Sequence, residues 1–332
     1  MLQEAFHPPL LYLLPIQFFW IFGPSEFTAA MAVSTPALMA LMLATYYCAS
    51  AVCSSRTSAL AAILTASYPL IFGTSRSFLM DLPVAAASIL SIAFLLRSDS
   101  LRNWKFVAGF VVSAAFGLWI KESFILYSGV PFILYLAEAC LSDSEHRPAI
   151  FVRAAAALAI VCLLASPAYL SLFTQFGLFF EAATIGGKIG FPTVFSWDGL
   201  TLYFRQMSET MSPVLFVVFS VSFFICAFRR RVGFMLLWFV LTYVVLSLLQ
   251  VKISRYLMPV FPVAAIITVE GLALFKQSFP FAGRVALLST FVFCLVQFVV
   301  VSFATGPIIG ADAFIPKERL GIWQFTKQCS AI

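Results

Sequence analysis

The chain has 332 residues, 62% of them hydrophobic and only 10% charged, with a mean hydropathy of +1.01. Those values exclude an ordinary soluble domain. The formal charge of +6 comes from basic residues scattered through loops, which excludes a nucleic-acid patch.

Residues 1–26 open on a mixed segment with neither the charged start nor the apolar core of a secretory signal. From Pro8 to Gly23 the chain is apolar and aromatic, but it is short and interrupted by Pro15 and Gln17. This pattern predicts a helix lying at the outer interface, with Tyr12 and Trp20 at headgroup level.

Apolar runs of spanning length then recur at about 27–52, 58–75, 79–96, 104–120, 122–139, 150–171, 211–228, 232–250, 256–275 and 284–305. In lipid every backbone polar group needs an internal partner, which leaves helices or closed barrels. Unbroken runs are not the alternating pattern of a barrel. The expected fold is therefore an all-α integral membrane protein, a bundle of about ten transmembrane helices over 27–305 plus the short interfacial helix.

Between the sixth and seventh runs lies a long connection, 172–210. It carries Gly186-Gly187, Gly190-Phe191-Pro192 and Trp197-Asp198-Gly199. Its length and aromatic content predict a surface-hugging outer loop acting as a lid. Residues 306–332 form an outer tail, polar at Asp312 and Lys317-Glu318-Arg319.

Orientation follows from the cations. Arg56, the Arg97/Arg102/Lys105 group, Arg147 with Arg153, Arg229-Arg230-Arg231, and Lys276 with Arg284 fall in alternate loops, assigned to the cytoplasm. The other side collects Glu26, Asp81, Glu122, Glu181, Asp198 and Glu209. The seven cysteines show no paired spacing, so neither a disulfide framework nor a metal site is expected.

Four clusters at the outer ends of different runs could carry chemistry. They are His7-Pro8-Pro9-Leu10-Leu11-Tyr12 with Phe22-Gly23-Pro24-Ser25-Glu26; Ser75-Arg76 with Asp81; Gly117-Leu118-Trp119-Ile120-Lys121-Glu122; and Lys252-Ile253-Ser254-Arg255-Tyr256 with Pro259 and Pro262. Asp81 is the most informative member, because a carboxylate at a membrane surface is expensive unless it is used. Cations beside it suit a phosphate, Arg as a planar fork and Lys as a point charge. The carboxylate suits general-base work on a hydroxyl or amine. Each group also has a plainer reading. Asp81 would pair with its neighbour Arg76, Lys121 with Glu122, and outer cations would anchor helix ends to headgroups.

In order and approximate spacing these clusters resemble the polyprenyl-phosphate-dependent glycosyltransferases of the GT-C fold, in the branch of protein mannosyltransferases and aminoarabinose transferases. The family's first outer loop closes with a stretch matched by His7 to Tyr12 and Phe22 to Glu26. Its Ser-Arg…Asp motif falls on Ser75, Arg76 and Asp81, its Gly-Leu-x-x-Lys on Gly117, Leu118 and Lys121. Its Lys-x-x-Arg-Tyr-x-x-Pro-x-x-Pro falls on Lys252, Arg255, Tyr256, Pro259 and Pro262.

The resemblance implies a multi-pass protein of the inner membrane with its active face towards the periplasm. The donor would be a polyprenyl-phosphate-linked sugar and the acceptor a glycan, lipid or protein, with membrane lipids as surroundings and no cofactor or nucleic acid. Lys252 and Arg255 would grip the donor phosphate, with His7, Arg76, Lys121 and Tyr256 completing the binding site. Asp81 would position or deprotonate the acceptor.

One departure is large. The family begins with a further span and an early Asp-Glu pair, and this chain starts after both. Glu4 stands too close to His7 to replace them. The resemblance therefore implies an N-terminally truncated member: a fragment, a misassigned start or a degenerate paralogue. Rival readings are a lipid-phosphate binding or transport protein and a non-catalytic partner subunit. Charges at span ends, with no internal repeat, weigh against transport.

Overall fold

The computed structural model describes residues 10–169, 192–249 and 251–303, and every regular element among them is helical. Two short helices come first, α1 (Leu10–Leu13) and α2 (Ile16–Phe22). They lead into α3 (Glu26–Ala49), α4 (Ser55–Ser67), α5 (Pro69–Thr74), α6 (Asp81–Leu96), α7 (Trp104–Ile120), α8 (Phe124–Ser142) and α9 (Arg147–Tyr169). Then follow α10 (Trp197–Met211), α11 (Pro213–Phe228), α12 (Gly233–Ser247), a 3₁₀ turn over Ser254–Val260, α13 (Phe261–Ser278) and α14 (Pro280–Phe303). The expected outer tail, residues 306–332, the first part of the expected lid, residues 172–191, and the candidate phosphate-binding residue His7 lie outside the described residues.

Each of the predicted apolar runs carries a helix. Five segments are long and apolar enough to cross a membrane: Phe27–Ala49, Phe124–Ser142, Arg147–Tyr169, Ser254–Ser278 and Pro280–Val300. Asp81–Leu96, Trp104–Ile120 and Gly233–Ser247 are shorter apolar helices. At about 1.5 Å per residue a helix of that length reaches roughly 23–26 Å, somewhat less than a hydrocarbon core of about 30 Å.

Two expected elements differ in form. The run at 58–75 breaks at Tyr68, whose φ of −67° and ψ of 132° are extended. The following Pro69 accounts for this, since proline disfavours the helical region for the residue before it. The second half of the expected loop 172–210 is the helix α10, meeting α11 at a bend of 117°. Its buried residues Gly199, Tyr203, Met207, Thr210 and Met211 recur at helical spacing, while Trp197 and Phe204 stay exposed. The bend falls at Ser212, whose φ of 75° is left-handed and whose hydroxyl accepts from the Leu215 amide.

The N-terminal segment lies on the surface of the bundle. None of the α2 residues is buried, and Trp20 is 87% exposed. Ser25 then caps α3 by accepting from the Thr28 amide at 3.0 Å.

Two helices form the centre of the bundle. α6 is buried along nearly its whole length and packs on α3, α7, α8 and the 3₁₀ turn. α13 is buried from Phe261 to Leu272 and packs on α4, α11 and α14. Both α3 and α6 bury small residues, such as Ala37 and Ala44 on α3 and Ala85, Ala86 and Ala93 on α6, which lets packed backbones approach closely. At the far end of α6, Arg97 donates to the Tyr47 carbonyl and to Ser50 Oγ at 2.7 Å, tying α6 to the end of α3.

Gly117 explains part of one motif. A Cβ there would stand 2.2 Å from the Phe124 ring, which folds back over the α7–α8 corner. Lys121 sits at that corner, its amide donating to the Gly117 carbonyl at 3.1 Å and its carbonyl accepting from the Phe124 amide at 3.1 Å. Gly117→Ala is therefore expected to lower stability by about 1–3 kcal/mol through overpacking. Thermal unfolding in detergent checks this; an unchanged midpoint would show that the ring can move aside.

Candidate functional site

The site forms where three chain segments end at one level: the start of α6, the end of α7 and the 3₁₀ turn before α13. Asp81 is the first residue of α6, where the helix dipole favours negative charge. Lys121 follows the last turn of α7. Arg255 and Tyr256 lie on the 3₁₀ turn, which packs against α6.

Asp81 is 5% exposed and held from two sides. Lys121 Nζ donates to Oδ1 at 2.9 Å, and both side chains are nearly excluded from solvent. Arg255 Nε faces Oδ2 at 3.6 Å from a side chain that is 39% exposed. The carboxylate thus joins a buried cation to a partly exposed one, whose Nε on the Asp81 side is itself buried, and the three groups together carry one net positive charge. Among the described residues its ion partners are these two, from chain positions far from Asp81. Arg76, five residues away, is not among them.

Aromatic groups line the cluster. Lys121 Nζ lies 5.5 Å from the Tyr256 ring centroid. Tyr127, buried on α8, is within electrostatic range of Asp81, Arg255, Tyr203 and Tyr256. Tyr203 reaches in from α10 with no exposure.

Lys252 is placed differently from the phosphate grip that its motif implies. It is 1% exposed, and its ammonium donates to the carbonyls of Ser247 and, at 2.7 Å, Leu249, at the end of α12. It therefore caps the C-terminal carbonyls of that helix, a common place for a cation. Burial pushes its pKa below the usual lysine value. It lies 5.9 Å from the Tyr203 ring centroid, which connects it to the cluster through that aromatic side chain.

Arg76 also points elsewhere. Its guanidinium lies 5.8 Å from the Phe298 ring on α14, and partial burial lowers its pKa. Beside the segment between α5 and α6 runs an apolar groove with a volume of about 410 Å³, lined by Tyr12, Pro15, Phe19, Pro24 and Phe78. Tyr12 meets Phe78 with ring centroids 6.2 Å apart, so the N-terminal segment abuts the strip that leads into Asp81.

The structure thus brings together Asp81, Lys121, Arg255 and Tyr256, and leaves Lys252 and Arg76 at the margin. Tyr127 and Tyr203 were absent from the sequence expectations. A tyrosine in an apolar run, with a hydroxyl that needs a partner, was the available signal for Tyr127. The stripe Gly199, Tyr203, Met207, Thr210 was the signal for Tyr203. Among the described residues no group of acidic, histidine and cysteine side chains could hold a metal ion.

Helix layout and site together define a polytopic helical membrane protein with a charged cluster at the common end of its central helices. Comparison with known proteins agrees with the membrane fold. No family model matches the chain. An uncharacterized protein of Aquifex aeolicus (strain VF5) is 25% identical over 275 residues, covering 80% of this chain and 52% of that protein. The crystal structure of ArnT from Cupriavidus metallidurans in the apo state matches 81% of this chain and 49% of its own, with a TM-score of 0.63 and 14% identity. The same protein bound to undecaprenyl phosphate matches 89% of this chain and 55% of its own, with a TM-score of 0.61 and 15% identity. The chain therefore spans about half the length of the relatives it matches. At these identities the likeness is one of fold, and the membrane fold is that of ArnT, a GT-C fold.

Proposed function

We propose that this chain is the membrane part of a glycosyltransferase that moves a sugar from a polyprenyl-phosphate donor to a glycan, lipid or protein acceptor. The carrying observation is the buried Asp81 clamped between Lys121 and Arg255. Its setting supports the reading: an apolar groove runs alongside, and the fold is that of a protein whose structure contains undecaprenyl phosphate.

The chemistry follows from the charges. A donor phosphate entering between Arg255 and Lys121 takes over the two cations that Asp81 now holds. The fork of Arg255 suits phosphate oxygens, and its exposure leaves it reachable. Asp81 is then released to face the acceptor. The acceptor oxygen or nitrogen attacks the anomeric carbon, the bond from that carbon to the phosphate oxygen breaks, and the lipid phosphate leaves with the electron pair. Asp81 positions the acceptor and takes its proton, and the anomeric centre inverts. Lys252 acts from behind, fixing the end of α12 and the Tyr203 ring. The isoprenoid chain lies in the groove of Tyr12, Phe19 and Phe78.

The protein would sit in the inner membrane with this cluster at the periplasmic face. The basic residues support that orientation, since Arg97, Arg102 and Lys105 follow the opposite end of α6 and Lys276 lies in the last turn of α13.

A second reading, binding of a lipid phosphate without transfer, is favoured by one observation: both Asp81 oxygens already face cations. Proteoliposome assays with defined polyprenyl-phosphate sugars separate the two. An enzyme loses transfer by about 10²-fold or more in both Asp81→Asn and Arg255→Ala. A binding protein shows donor-lipid binding that falls in Arg255→Ala, with no transfer in any form. Transfer retained in both variants rejects the site.

A further inference from the structure

The opposite end of the bundle carries a second basic feature that the transfer reading does not use. α13 begins beside Arg255 and ends beside Lys276, so an 18-residue helix of about 27 Å separates the two. Around Lys276, the start of α4 supplies Arg56 and the start of α14 supplies Arg284. The three cations rim a groove with a volume of about 530 Å³, whose floor is Leu60, Leu288 and Phe291.

The groove is held by close backbone packing. Gly283 lies so near α13 that a Cβ on it would stand 2.2 Å from Lys276 Cα. The turn is closed by the Gly283 amide donating to the Phe279 carbonyl at 2.8 Å. This hairpin fixes Lys276 and Arg284 on neighbouring helices at one level.

Charge decides what such a groove would hold. Other basic residues assigned to this side are engaged: Arg102 pairs with Asp143, Arg231 with Glu270, and Arg97 with the end of α3. Among the described residues no carboxylate lies within ion-pair distance of Arg56, Lys276 or Arg284. A general bias of cations towards the cytoplasm would scatter them, as at Lys105 and Arg230. Here three converge over an apolar floor, and Leu288 is 67% exposed. A ligand fitting both parts has an anionic head and a hydrocarbon tail. Basic pockets between helices at this depth suit phosphodiester headgroups.

We propose that Arg56, Lys276 and Arg284 bind the phosphodiester headgroup of an anionic phospholipid in the leaflet opposite the candidate active site. Its acyl chains lie along Leu60, Leu288 and Phe291. The headgroup ties the α13–α14 hairpin to α4 and so braces the helix whose other end carries the Asp81 cluster.

The test titrates the detergent-purified full chain with phosphatidylglycerol, phosphatidylcholine or inorganic phosphate and reads bound lipid by native mass spectrometry. Three surface cations, each contributing roughly fivefold, predict about a hundredfold preference for phosphatidylglycerol over phosphatidylcholine. The triple variant Arg56→Gln, Lys276→Gln, Arg284→Gln should bring the two lipids to near parity, while Lys105→Gln with Arg230→Gln should leave the preference intact. Equal retention of both lipids by the unaltered chain overturns the proposal. So does a preference that survives in the triple variant, or displacement of the lipid by inorganic phosphate at equal concentration. Should the triple variant fail to fold, Arg284→Gln alone decides: this exposed side chain should reduce the preference about fivefold, and no change overturns the proposal.

Discussion

Replacing Lys121 by methionine is expected to be the most damaging single change at the cluster, lowering stability by about 3–5 kcal/mol. Lys121 and Asp81 are both almost solvent-free and 2.9 Å apart, so the remaining carboxylate has no water to replace the lost donor. In a low-dielectric setting an uncompensated charge is costly, whereas an exposed one is screened. Arg255→Met is the control. That guanidinium stands 3.6 Å from Asp81 and is 39% exposed, so its loss should cost less than about 1 kcal/mol. The double variant Asp81→Asn, Lys121→Met should recover most of the loss, because neither partner is then left as a buried charge. Denaturant or thermal unfolding in one detergent reads all three. Equal destabilisation by Lys121→Met and Arg255→Met would show that the buried pair is not the anchor of the site.

The same pair shows what the sequence could and could not convey. The helices were legible because lipid leaves the backbone few choices, and apolar runs of the right length have no other use. The break at Tyr68 was missed, although Pro69 marked it. α10 was missed because its glycine and aromatic surroundings read as loop, although Tyr203, Met207 and Thr210 already repeat at helical spacing. The site divided along another line. Asp81, Lys121, Arg255 and Tyr256 were legible as candidates, because polar groups at span ends are few. Their pairing was not. Arg76 is the near neighbour in sequence, yet Lys121 and Arg255 reach Asp81 because α6 packs on α7 and on the 3₁₀ turn. Lys252 bore a binding role by motif, whereas the carbonyls at the end of α12 claim its ammonium. Which helix packs on which face depends on close fits, such as Phe124 over Gly117, that no local periodicity encodes.

The division between a buried anchor and an exposed cation leads to a functional prediction for Arg255. If Arg255 is the group that meets the donor phosphate, Arg255→Ala should weaken binding of a polyprenyl phosphate by about 10–100-fold, the range of one charge-assisted hydrogen bond. Stability should hardly move, in contrast with Lys121→Met. Arg255→Lys keeps the charge but loses the planar fork, so it should recover only part of the affinity. Asp81→Asn supplies the opposing arm. The variant leaves Lys121 as a buried charge and is expected to lose stability. In its folded fraction Arg255 and Lys121 are no longer held by a carboxylate, and the affinity for the phosphate should rise or stay level while transfer falls. That split of binding from turnover is what a carboxylate that yields its cations to the donor requires. A residue that only held the fold together would lose both at once. Binding measured by titration of polyprenyl phosphate into nanodiscs, alongside transfer in the same preparation, distinguishes the cases. Parallel loss of binding in Asp81→Asn and Arg255→Ala would assign Asp81 to the phosphate site's scaffold and leave the proton of the acceptor to another group.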